Sequence, residues 1–336
     1  MLVSPDAVAA RRDEDALWST TDAVLRTAGA SAPGPPRHPA RKAAAHGVRT
    51  EPADGAAPAA GPEPGADGGA VVPPPRRAAG LWPVDLADPA PHLEQAVGRA
   101  LASLPPGHGP AADAADAAGR GSVVRGWDAE QAAVLAASAE WLHRAWPSML
   151  AELREGVRQI ALLHGPSIDG FTDFTTHGAV FVNASRLTTG RTGLPGWVRL
   201  ADALVHEGTH TRCNAAALSA PFLVPDAGPA PTMPTPLRAD PRPLTGLFQQ
   251  TVVLARQAVL YRLLHEETPA ADLPPQAVAA RRMQVLNRAR QGAGTLSRYS
   301  ASLTPAGEAV RAEVDELLAR ESAPTGAHPG TYGGRG

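Results

Sequence analysis

The 336-residue chain predicts an α+β fold, mainly helical, with one small sheet and with a disordered N-terminal region and C-terminal tail. Three observations carry that expectation. Apolar residues recur at helical spacing in a series of long stretches after Trp127. One short run, Gly178-Ala-Val-Phe-Val-Asn183, is β-rich and bounded by turn formers. The 35 prolines and 33 glycines are mostly clustered, so the sequence able to fold is shorter than the chain.

In chain order, Asp6 to Arg26 has weak helical character. Gly29 to Arg77 is rich in Pro, Gly and Ala and reads as a linker. Ordering a residue costs roughly 1–2 kcal/mol, and this stretch has little apolar surface to offset it. A short helix is expected at His92 to Leu104, before the breaker run PPGHGP. Ala129 to Ala145 follows as a helix with Asp128 as N-cap, and Pro147 interrupts it. Helical spacing resumes from Met149 to Leu163 through Leu150, Leu153, Val157, Ile160 and Leu163. Gly178 to Asn183 is the strand, with Phe171 to Thr175 its candidate partner. Helices are then expected at Trp197 to Ala216, Leu244 to Leu264, Ala277 to Gln291 and Pro305 to Arg320, the last with proline in its first turn. Pro221 to Pro243 reads as irregular. The domain division is therefore 1–80 low-complexity and largely disordered, 81–121 a linker with a short helix, 122–320 the folded domain, and 321–336 a disordered tail.

A formal charge of −2 and the lack of a basic stripe with interleaved aromatics argue against nucleic acid. No 18-residue apolar run argues for a membrane, and the N-terminus lacks a signal-peptide core. A single cysteine, Cys213, excludes an intrachain disulfide and fits a reducing compartment, so a cytoplasmic location is expected. Lys42 is the only lysine. That arginine bias, with the Ala, Gly and Pro excess, reads as genome composition rather than function.

The stretch that carries chemistry is Leu200-Ala-Asp-Ala-Leu-Val-His-Glu-Gly-Thr-His-Thr-Arg-Cys213. On a helix, residues four apart stack on one face, so His206 and His210 can offer two imidazoles to one metal ion. Glu207 lies one step round the helix, where a carboxylate can handle a proton as a catalytic base. With a strand just upstream, the HExxH helix resembles the active-site helix of zinc-dependent peptidases, a zincin-like arrangement. The third ligand stays open among Gln249, Gln250 and His177, with His265, Glu266 and Glu267 at a helix end as further possibilities. A gluzincin-type peptidase would place a glutamate on the helix that here carries Gln249 and Gln250, and this counts against a protease. Arg238 and Arg242, in Pro236-Leu-Arg-Ala-Asp-Pro-Arg-Pro243, can each bind a carboxylate bidentately. Cys213 is expected to be a small buried side chain. Trp141, Trp146 and Trp197 are assigned to the core.

Taken together, LVHEGTH, PLRADPRPL and GLFQQTVVLAR resemble the HExxH-motif proteins that modify ribosomally made peptides, a family regarded as Fe(II)- and 2-oxoglutarate-dependent peptide β-hydroxylases. The likeness covers roughly Ile160 to Leu264. It implies that His206 and His210 bind Fe(II), that Arg238 or Arg242 holds the 2-oxoglutarate carboxylate, and that Glu207 sits in or beside the metal's ligand shell. It also implies a peptide substrate, such as a leader-bearing precursor peptide. Relatives often carry a histidine where this chain has Gln249; if that histidine is a ligand, its loss weakens the site or moves the third ligand elsewhere. Three functions follow for testing. One is an oxygenase hydroxylating a peptide side-chain β-carbon, with the strand at Gly178 to Val182 holding the peptide. A second is a zinc metallopeptidase with Glu207 as general base. The third is a degenerate, non-catalytic peptide-binding module.

Overall fold

Asp128 caps the helix Ala129–Ala145 as its spacing implies: its side chain accepts from the Gln131 amide, and the Gln131 side chain accepts from the Asp128 amide in return. The structure is a computed structural model. It describes residues 1–30, 34–50, 80–104, 121–225, 232–236, 238–269 and 272–321, except the side chains of 238–240. In order, its elements are α1 (Ala7–Thr27), α2 (Pro39–Thr50), β1 (Asp85–Leu86), α3 (Pro91–Ala102), β2 (Val123–Arg125), α4 (Ala129–Ala145), α5 (Pro147–Gly156), β3 (Gln159–His164), β4 (Gly170–Thr172) and β5 (Ala179–Asn183). Then come α6 (Gly196–Ser219), β6 (Thr232–Thr235), β7 (Arg238–Pro243), α7 (Leu244–Glu267), α8 (Pro275–Leu296) and α9 (Pro305–Arg320). The fold is α+β and mainly helical. No described helix is long and apolar enough to cross a membrane.

The main sheet runs β1-β3-β5-β4, with β2 antiparallel to the second half of β3. β1 and β5 lie parallel to β3, and β4 lies antiparallel to β5. Alternation along β3 and β5 sorts their side chains to two faces. Ile160, Leu162, Val180 and Val182 join the large helical core. Ala161, Leu163, Ala179 and Phe181 pack with Leu93, Ala96 and Val97 of α3. The sheet is thus a middle layer, and α6 lies against β4 and β5 on its helical side.

Several expectations need correction. Helical spacing from Met149 runs only to Gly156; Ile160 and Leu163 belong to β3 instead. A strand buried on both faces is continuously apolar, and an apolar run of that length contains helical spacings by accident. Pro221 to Pro243 is not all irregular, since β6 and β7 form a second, antiparallel sheet. Prolines are tolerated there because both strands of a two-stranded ribbon are edges.

Residues 1–80 are not largely disordered where they are described. α1 is capped by Asp6 and buries Ala10, Leu17, Trp18 and Leu25. Asp13 also pairs with Arg212 of α6 at 2.7 Å, and Glu14 pairs with His177 at 2.8 Å. Composition hides this because much of the attachment is made by buried charge rather than by apolar surface. Residues 81–121 are likewise more than a linker: Trp82 and Val84 enter the large core, and β1 pairs with β3. Residues 31–33, 51–79, 105–120 and the tail 322–336 lie outside the described residues, and so does the disorder expected of them.

Candidate metal centre

One stripe of α6 carries Asp202, His206, His210 and Asn214, each four residues from the next. Helix α6 can press deep into the fold because its opposite side carries Gly208. A Cβ there would overlap the Cδ2 of Leu153 on α5. The His206 and His210 ring centroids are 5.1 Å apart, with the planes inclined at 60°. Two imidazoles sharing an ion at about 2.0–2.1 Å from each nitrogen, in tetrahedral arrangement, would have centroids about 5 Å apart. The pair therefore fits two corners of one metal ion's coordination sphere.

Helix α7 fixes both rings. Gln249 Oε1 lies 2.8 Å from His210 Nδ1, and Gln249 Nε2 donates to Asn214 Oδ1 at 3.0 Å. An amide oxygen only accepts, so His210 Nδ1 carries the proton and Nε2 keeps its lone pair. His206 hydrogen-bonds Gln257, whose Nε2 donates to the buried Asp202 at 2.6 Å. Such outer partners set the tautomer and direction of metal-binding histidines. Burial, above all, pushes both imidazoles below their ordinary pKa. For His206 the neighbouring His210, then Arg186 and Arg281, push in the same direction. Both rings are accordingly neutral, the state in which imidazole binds a metal.

Glu207 is buried, and its Oε1 lies 4.0 Å from His206 Nε2. The carboxylate fits under β4 because residue 170 is glycine: a Cβ there would stand 3.1 Å from Glu207 Oε1. Two pockets meet at Gly170, His206 and Glu207. The narrower, about 280 Å³, adds Asp169, Arg186, Asp202, Gln257, Arg281 and Arg288. The wider, about 440 Å³, adds Phe171, Thr172, His210, Arg242, Gln249 and Gln250 among others. β4 is an edge strand among the described residues, so its outer side borders the wider pocket with no strand beside it.

The structure brings His206, Glu207, His210, Arg242, Gln249 and Gln250 together. His177 is elsewhere: it is buried against Glu14 and Trp18 and lines neither pocket. Gln249 orients His210 and is not free to serve as the third ligand in this arrangement. His265, Glu266 and Glu267 are exposed at the end of α7. The Arg238 side chain lies outside the described residues. Cys213 is buried, and burial pushes its thiol up to about 12. Among the described residues no three His, Cys, Asp or Glu side chains form a metal-holding group. Of the three residues named for the third position, Gln249 and Gln250 both line the wider pocket and His177 does not.

Sequence reasoning missed Asp202, Asn214, Gln257, Gly170, Arg186, Arg281 and Arg288. The first two were within reach, as the four-residue spacing of the motif extends one step in each direction. No protein-family model matches the chain, and no curated protein is similar to it.

Proposed function

We propose that the chain is a metal-dependent peptide-modifying enzyme, an Fe(II)- and 2-oxoglutarate-dependent oxygenase that hydroxylates a side-chain β-carbon of a ribosomal peptide. The observation that carries the metal is the 5.1 Å spacing of two imidazoles that α7 orients from behind. The resemblance of LVHEGTH and the arginine-proline loop to the peptide β-hydroxylases supports iron and 2-oxoglutarate. Two histidines leave open positions for oxygen ligands, as non-haem iron oxygenases require. When bound, Fe(II) would let O₂ act as the oxidant, with one oxygen atom going into the succinate formed as 2-oxoglutarate loses CO₂ and the other replacing a C–H bond by C–OH.

The chain's own residues do the rest. His206 and His210 hold the ion, while Gln249 and Gln257 keep the rings from turning. Arg242, on the wall of the wider pocket, is placed to meet a carboxylate. The unpaired side of β4 offers main-chain groups to an extended peptide. That role passes to β4 from the strand at Gly178 to Val182, because β5 is paired on both sides. The oxygenase is tested by adding 2-oxoglutarate to the anaerobic Fe(II)-loaded protein. A weak visible charge-transfer band is expected, lost in His206→Ala and His210→Ala. No band from protein that holds stoichiometric Fe(II) would dispose of this reading.

Glu207 favours a second reading, a zinc metallopeptidase. Its carboxylate borders both pockets beside His206, where a base would take a proton from attacking water. Glu207→Gln should then abolish peptide cleavage while zinc stays bound; undiminished cleavage would end that mechanism. If the protein takes up neither iron nor zinc stoichiometrically, the degenerate peptide-binding module is what remains.

A further inference from the structure

The two histidines of the site are held by matching pieces with unlike ends. On α7, Gln249 and Gln257 each tie one imidazole to the next residue along the α6 stripe. Behind His210 that residue is the neutral Asn214. Behind His206 it is Asp202, which is 2% exposed. An asparagine at 202 could accept from Gln257 as Asn214 accepts from Gln249, without the cost of burying a carboxylate. Holding the glutamine therefore does not account for the charge at 202. The carboxylate divides its oxygens. Oδ1 accepts from Gln257 Nε2 at 2.6 Å, while Oδ2 lies 3.4 Å from Arg281 and 3.8 Å from Arg186. Both arginines line the narrower pocket with His206, and both act against positive charge on its ring. That pocket sets Arg186, Arg281 and Arg288 against Asp169, Asp202 and Glu207, so its charges balance only while Asp202 is ionised.

We infer that the negative charge of Asp202 is what lets the His206 side of the site hold a metal cation, which makes Asp202 a positioning residue for the metal. Without that charge, a cation at His206 faces two guanidiniums across a wall shielded from water, where like charges repel more strongly than in solution. With Asp202 ionised, both guanidiniums are paired and the wall no longer opposes the ion. The same carboxylate acts through Gln257. Its pull on the Gln257 amide N–H leaves Oε1 as a stronger acceptor for the His206 N–H, and the imidazole becomes a better donor to metal. His210, acted on by burial and by Gln249, is served by the neutral Asn214. The inference rests on the metal reading of His206 and His210. It does not depend on whether the ion is iron or zinc, nor on 2-oxoglutarate.

Titration of Co(II) and Zn(II) into the full chain, in competition with a chromogenic chelator, tests it, with the visible bands of the Co(II) form as a second readout. Asp202→Asn keeps an acceptor for Gln257 and removes only the charge. It is expected to weaken both ions by roughly ten- to a hundred-fold and to shift the Co(II) bands. Adding Gln257→Glu to Asp202→Asn returns the charge one link nearer the ring with the hydrogen bonds kept, and is expected to recover most of the affinity. A merely structural role for Asp202 would not be rescued in that way. Arg281→Gln tips the balance in the opposite direction and is expected to tighten metal binding, so the idea can be tested even if Asp202→Asn fails to fold. Unchanged affinity in Asp202→Asn overturns the inference. So does a loss that Gln257→Glu fails to recover, or weaker binding in Arg281→Gln. The two readings fail separately. Metal held equally well with and without the charge at 202 leaves the metal centre standing and removes this inference. Asp202-dependent Co(II) binding, in a protein whose Fe(II) form gives no band with 2-oxoglutarate, keeps the inference and removes the oxygenase. Uptake of neither ion by the wild type removes both.

Discussion

At the scale of single residues, Gln249 changes most in meaning. From sequence it is the place where a ligand has been lost. In the structure it is the partner that fixes His210, itself held by Asn214. Removing such a partner typically lowers metal affinity about ten- to a hundred-fold while leaving the ligands in place. Gln249→Ala should therefore weaken metal binding to that extent in competition with a chelator, and Gln249→Glu should retain it. Equal affinity in Gln249→Ala would show that His210 needs no outside support. Cys213 gives a second residue-scale prediction. Its thiol, pushed up to about 12 by burial, is protonated at pH 8, and the thiolate is the reactive form. An aromatic disulfide reagent should leave it untouched in the native protein and titrate one thiol in denaturant; rapid native reaction would contradict its burial. The ligand pair was legible in the sequence because helical spacing alone brings residues four apart together. Arg186 and the α8 pair Arg281 and Arg288 were not, since they come from two distant parts of the chain that only the fold brings to one pocket.

At the scale of elements, α6 depends on how closely it approaches α5. Gly208 sits inside the HExxH motif, yet the sequence gives no reason for a glycine there, because glycine is disfavoured within helices. The reason is tertiary: a Cβ at 208 would collide with Leu153, which is wholly buried. Gly208→Ala should destabilise the protein by about 1–3 kcal/mol, the usual cost of overpacking, despite the better helix propensity of alanine. Leu153→Ala costs stability by itself, but the two changes together should cost less than their sum. Additive losses in urea denaturation would mean that the two residues do not press on each other. The helices were legible where one face is polar, as in α4 and α9. β3 was not, because its residues are buried on both faces and show no period of two.

At the scale of the whole molecule, the metal helix is braced from behind by a charged layer that joins it to the N-terminal helix. Asp13 and Arg212 are 2% and 3% exposed, and Arg212 is two residues past His210. Arg256 of α7 donates to Glu152 at 2.6 Å and to the backbone oxygen of Val3. Further out, the imidazole of His92 bridges α3 to Gln159 of the sheet, and burial is the main cause pushing it below its ordinary pKa. A histidine held neutral in the fold contributes in full above about pH 6.5, its unfolded value. That contribution is lost as pH falls through the lower folded value. Stability should thus decline below pH 6.5, and the decline should be shallower in His92→Gln. For the layer under the metal helix the decisive test is Asp13→Ala. A buried ion pair adds little compared with an apolar one, but breaking it strands a charge, at a cost of about 3–5 kcal/mol. Arg212 is poorly placed to recover, since its Nε and Nη1 already have no hydrogen-bond partner and Glu152 is 3.8 Å away. Asp13→Ala should therefore lower the unfolding free energy by that amount and lower metal affinity with it, through displacement of the turn that carries His210. Asp13→Leu with Arg212→Met, which removes both charges, should recover most of the stability. If Asp13→Ala is neutral in both measurements, the N-terminal helix is an attachment to the rest of the fold and not part of its foundation.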